Sequence, residues 1–96
     1  LGDVYKRQVE TIYSLKNVPN PFENKTIVYF DSKFNQSTTL EVFNTLGVKV
    51  SAQSFDAQIG KNEVFLNLES QVPGVYFYTL SNSSETVTKR MLLSNK

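Results

Sequence analysis

Short runs in which apolar and polar residues alternate recur along this chain, and each is closed by Gly, Pro, Asn or Ser. The clearest is Glu63 to Leu68: Val64, Leu66 and Leu68 share one parity, Glu63 and Asn67 the other, with Phe65 the exception. A period of two puts successive side chains on opposite faces of an extended backbone, so such a run buries one face of a sheet and wets the other. Thr38 to Phe43 behaves alike, with Leu40 and Val42 facing inward, and Val48 to Phe55 continues the pattern. Val75 to Leu80 offers Tyr76, Tyr78 and Leu80 as a core face, and Glu85 to Leu93 is the last strand. Lys25 to Asp31 is apolar on both parities, Ile27 with Tyr29 and Val28 with Phe30. Val9, Ile12, Leu15 and Val18 are spaced by three, as on a helix, but Thr11-Ile12-Tyr13 favours extension and Pro19 follows. A short first strand is therefore expected near Tyr13 to Lys16.

The punctuation is equally informative. Pro19-Asn20-Pro21 cannot lie inside a central strand, because proline brings no N–H to a ladder. Asn44-Thr45-Leu46-Gly47 separates two alternating runs as a hairpin loop does, with Gly47 expected at positive φ. Gly60-Lys61-Asn62 and Ser81-Asn82-Ser83-Ser84 read as turns, and Val72-Pro73-Gly74 places Pro and Gly at the centre of a type II turn. The reading is an all-β antiparallel sandwich of about seven short strands.

Composition removes several function classes. The chain has 96 residues, ten Lys plus Arg against nine Asp plus Glu, no His and no Cys. A formal charge of +1 argues against nucleic acid or a polybasic membrane anchor as partner. Without His or Cys, no thiol nucleophile, Ser-His relay or zinc ribbon is available. The acids Glu23, Asp31, Glu41, Asp56, Glu63, Glu69 and Glu85 are scattered, in neither a calcium-loop nor a paired-carboxylate spacing. They read as solvated strand faces and turns, so no metal or other cofactor and no catalysis are expected. Phe65 and Phe77 are expected to share an outer face with Phe43, while Phe43 and Phe55 could equally cap sheet ends. Leu1 to Gln8 is similar to a translated sequencing-adapter scar and is set aside from the fold reading.

An ordered set of short motifs then carries a resemblance. Asn20-Pro21-Phe22, Ile27-Val28-Tyr29, Leu40 to Val50, Gly60-Lys61-Asn62, Gly74-Val75-Tyr76-Phe77-Tyr78 and Lys89-Arg90-Met91 follow one another as in the type A C-terminal sorting domains of the type IX (Por) secretion system. The resemblance runs from Leu15 to Lys96, leaving residues 1–14 as a linker. It implies an immunoglobulin-like sandwich at the end of an exported passenger protein, an address label and not an enzyme. It further implies Sec export, transit of the periplasm, shuttle proteins and the type IX translocon as partners, and display at the cell surface or release to the medium. A sortase-like peptidase would remove the label, cutting between about Gln8 and Leu15. Pro19, Asn20, Pro21 and Phe22 match the opening motif, Gly47 the mid-domain glycine, Gly74 and Tyr76 the Gly-x-Tyr motif. Lys89 and Lys96 match the basic positions of the last strand and tail. Gly74, Tyr76 and Lys89 to Lys96 are expected to form the recognised surface.

Competing readings remain at this point. A carbohydrate-binding module would show a row of exposed aromatics on one sheet. An adhesive immunoglobulin-like or fibronectin-like spacer would be repeated in tandem. A carboxylate-only enzyme would need two acids facing one cleft.

Overall fold

The computed structural model describes residues 10–94. Seven strands follow in order: β1 (Ile12–Val18), β2 (Lys25–Ser32), β3 (Gln36–Phe43), β4 (Lys49–Ala57), β5 (Gly60–Asn67), β6 (Gly74–Ser81) and β7 (Thr86–Leu93). They form two antiparallel sheets, β1-β2-β5 and β4-β3-β6-β7, packed face to face. In an immunoglobulin constant domain the fourth strand sits beside the fifth. Here the tight Asn44–Gly47 hairpin keeps β4 against β3, so the fourth strand belongs to the other sheet.

The alternation expected from the sequence decides the core. Val28, Leu40, Val42 and Leu80 are fully buried, and Phe30, Leu66, Leu68, Tyr76, Tyr78, Met91 and Leu93 are nearly so. Inner-face partners meet directly across strands: Leu40 opposite Leu80, Val42 opposite Tyr78, Tyr76 opposite Met91. On β2 the inward parity is Val28 with Phe30, and Phe30 meets Phe55 across the sandwich with ring centroids 6.0 Å apart. Phe55 thus packs against the core and does not merely cap a sheet end.

The first strand is longer than expected and explains the helix-like spacing. Ile12 and Leu15 are both buried although an odd number of residues separates them. Ser14 sits at φ 56°, and the β1–β2 register shifts between Tyr13 and Lys16. A β-bulge inserts one residue and restores the inward parity after it. Because the strand starts at Ile12, Thr11 and Ile12 are buried although the sequence reading placed them in the linker.

Two turns differ from expectation. Gly60, with Lys61 and Asn62, is the start of β5, and the reversal before it is held by Asn62, whose side chain accepts from the Gln58 N–H and donates to the Gln58 carbonyl. No type II turn forms at Val72-Pro73-Gly74. The chain reverses earlier, where the Gln71 N–H donates to the Leu68 carbonyl at 3.0 Å. The Val72 carbonyl, which would close the expected turn, accepts the Tyr76 hydroxyl instead.

Antiparallel order leaves two poles along a long axis of 52 Å. One gathers the connections at 19–24, 44–48 and 68–73 with the end of β7; we call it the tail pole. The other gathers residues 10–11, where the described chain enters the fold, with the connections at 33–35, 58–59 and 82–85; this is the entry pole.

Candidate functional site

The opening motif and the last strand, remote in sequence, are joined at the tail pole. Phe22 is 2% exposed and plugs this end of the sandwich. Its N–H donates to the Leu92 carbonyl at 3.1 Å, and its carbonyl accepts from the Ser94 N–H at 2.7 Å, which makes a parallel bridge between Phe22 and Leu93. Asn20 completes the joint by accepting the Leu92 N–H on Oδ1 at 3.0 Å. The end of an edge strand, which would otherwise show unpaired backbone groups, is thereby closed. Pro19 takes part through its carbonyl, which accepts from the hydroxyl of buried Thr26 at 2.8 Å and the amide of Asn17 at 3.3 Å. Pro21 carries Asn20 into Phe22, and both X-Pro bonds of the motif are cis.

Gly74 pairs with Leu93 and Tyr76 with Met91, so the Gly-x-Tyr motif lies alongside the same strand end. Tyr76 is not a surface residue, however. It is 2% exposed, and its hydroxyl donates to the Val72 carbonyl at 2.6 Å. A tyrosine near the start of the sixth strand, bonded back to the chain a few residues upstream, is the tyrosine corner of immunoglobulin-like sandwiches. The expectation that its ring forms part of a recognised surface is corrected by its burial. Tyr78 is buried beside it, and desolvation pushes its phenol up to about 12.

Gly47 has the expected positive φ, 84°. Its N–H donates to the Asn44 carbonyl, while the Asn44 side chain accepts from Leu46 and Val48. This hairpin and the 72–76 segment wall one shallow depression. Val75 also belongs to a second depression with Asn20, Arg90, Met91 and Leu92. The two make one continuous surface in which Leu46, Val72, Val75 and Leu92 are exposed apolar residues. Beside it Lys49, Phe43, Phe77 and Arg90 form one row across the four strands of the outer face. Lys49 is paired with Glu41 at 2.8 Å. Contiguous exposed apolar side chains of this kind mark docking surfaces more often than they decorate a monomer.

Lys89 stands further along β7 opposite Tyr78, with its side chain exposed at the sheet edge. A charge on the core-facing parity of an edge strand also discourages another strand from pairing there. Lys96 lies outside the described residues. Phe43 and Phe77 are direct neighbours as expected, but Phe65 is not with them. It lies opposite Ile27 on the outer face of the three-stranded sheet, on the other side of the molecule. The parity argument located each ring correctly on its own strand and had no means of assigning strands to sheets.

One residue was missed altogether. Glu85, read as a solvated acid, is 9% exposed at the entry pole. Its Oε2 accepts from the Ile12 N–H at 2.7 Å and from the Thr11 hydroxyl at 3.0 Å, as well as from the Thr11 N–H. An isolated Glu at a turn carries no sequence signal for such a role, because its partners are remote in the chain.

A seven-stranded immunoglobulin-like sandwich with its signature positions at one pole defines a small recognition module. Residues 16–94 match the family of secretion-system C-terminal sorting domains, Por_Secre_tail, and the chain belongs to that family. It is a sorting signal of type IX secretion, attached to a passenger protein bound for the cell surface or the medium. No curated protein matches the chain.

Proposed function

We propose that the domain is a passive label, read at the tail pole by the export machinery after Sec export into the periplasm. The observation that carries this reading is positional: Asn20, Phe22, Gly47, Gly74 and the end of β7 converge at one end, while the chain enters at the other. A reader that docks on Val75, Leu92 and Leu46 would touch nothing near the passenger junction. Shuttle proteins and the type IX translocon are the readers in this proposal, and a sortase-like peptidase separates passenger from label. The label does no chemistry itself, in keeping with a sequence free of His and Cys.

The test is a fusion of the whole chain behind a Sec-exported reporter in a host that has the translocon. Val75→Glu with Leu92→Glu places charge on the tail pole; Phe34→Glu with Ile59→Glu does the same at the entry pole. All four side chains are exposed, so both variants should fold. Surface display is expected to fail for the first pair and persist for the second. Equal display of both variants would remove the tail pole from consideration as the recognised surface.

A further inference from the structure

Thr11 is the first residue of the described chain to be wholly buried, and every polar group it owns is engaged. Its N–H and hydroxyl donate to Glu85 Oε2, its hydroxyl also accepts from the Asn82 amide at 2.9 Å, and its carbonyl accepts from the Lys33 N–H at 2.9 Å. Ile12 adds a further bond to the same carboxylate oxygen. The turn that carries the acid is itself braced: the Asn82 carboxamide oxygen accepts from the Ser84 and Glu85 N–H groups. No cation pairs with Glu85 among the described residues, so N–H and O–H dipoles hold the carboxylate.

β1 is where such a latch matters most. It is an edge strand with β2 as its one sheet neighbour, and the bulge at Ser14 interrupts that ladder. Edge strands with broken ladders open locally at lower free energy than central ones. A peptidase needs several residues of backbone in extended, unpaired form, so cleavage within β1 requires that it first leave the sheet.

We propose that the Glu85–Thr11 latch sets the boundary of processing: cleavage between passenger and label falls on the passenger side of Thr11, and β1 becomes a substrate only when the latch opens. This rests on the proposal that the label is removed, and it confines the window expected from the sequence, Gln8 to Leu15, to its first part. Glu85 acts as a positioning residue and touches no reacting atom.

Trypsin on the purified full chain tests the latch without any secretion machinery. Lys16 lies within β1 with its side chain exposed, so a cut after it reports detachment of the strand. In Glu85→Ala that cut should speed up at least tenfold, because charge-assisted bonds to buried donors are lost. Glu85→Gln should fall between, since an amide oxygen still accepts. Amide exchange separates local release from unfolding: Ile12 should exchange faster in Glu85→Gln while Leu40 in the central strand keeps its protection. Unchanged cutting after Lys16 in Glu85→Ala, or acceleration of Leu40 equal to that of Ile12, would overturn the latch. In a secreting host, a released label whose first residue lies beyond Thr11 would overturn the boundary. The trypsin result is independent of sorting, so a failed latch and a failed sorting role are read separately.

Discussion

The Ser94 N–H donates to the Phe22 carbonyl at 2.7 Å, and through that bond the last described residue is fastened to the loop that precedes β2. The opening motif is therefore first a structural joint, and its value to a reader follows from where it holds the end of β7. Recognition of this tail is recognition of a folded object, because Asn20 and Phe22 contribute only when the sandwich has closed.

Phe22→Ala should destabilise the domain by about 3–5 kcal/mol, the cost of emptying a buried aromatic site. Asn20→Ala removes one bond to the Leu92 N–H and should cost about 0.5–1.5 kcal/mol. Urea titrations followed by tyrosine fluorescence give both values. Equal, small losses would mean that Phe22 is not the plug its burial implies.

Tyr76→Phe keeps the ring and deletes the bond to the Val72 carbonyl, so a loss of about 1 kcal/mol is expected. Surface display of a fused passenger should survive this change. Abolished display with near-native stability would return Tyr76 to a direct part in recognition.

Gly47→Ala should cost about 1–2 kcal/mol through backbone conformation alone. An added Cβ would meet nothing within 4 Å, so no clash contributes. Thermal denaturation of the variant beside Gly47→Asn makes the check, since Asn tolerates the left-handed region better than Ala.

Stability should fall as pH rises from about 10 towards 12. The Tyr78 phenol ionises near 10.0 in the unfolded chain and at about 12 in the fold, so the unfolded state releases its proton first. The contribution is complete below pH 10 and is lost through the folded value, about 2–3 kcal/mol in all. Tyr78→Phe should flatten this part of the profile in urea midpoints measured across the alkaline range.

Much of the architecture was legible because burial of one sheet face leaves a period of two in the sequence. Val64, Leu66 and Leu68, and Tyr76, Tyr78 and Leu80, fell on the predicted side for that reason. What stayed hidden depended on contacts between remote segments. A bulge at Ser14 made Ile12 and Leu15 look helical. The transfer of β4 to the second sheet separated Phe65 from Phe77. The hydroxyl of Tyr76 drew the Val72 carbonyl out of the turn that Pro73 and Gly74 suggested. The motif residues were identified by their order along the chain, yet the role of Tyr76 in the tyrosine corner and that of Glu85 in the latch became visible only with their partners in place.

The separation of the two poles has a practical corollary for cargo. With the junction at one end of a rigid body and the grip at the other, the bulk, charge and folding of whatever is carried stay clear of the handling surface. A single tag built this way can serve unrelated cargoes without being retuned for each.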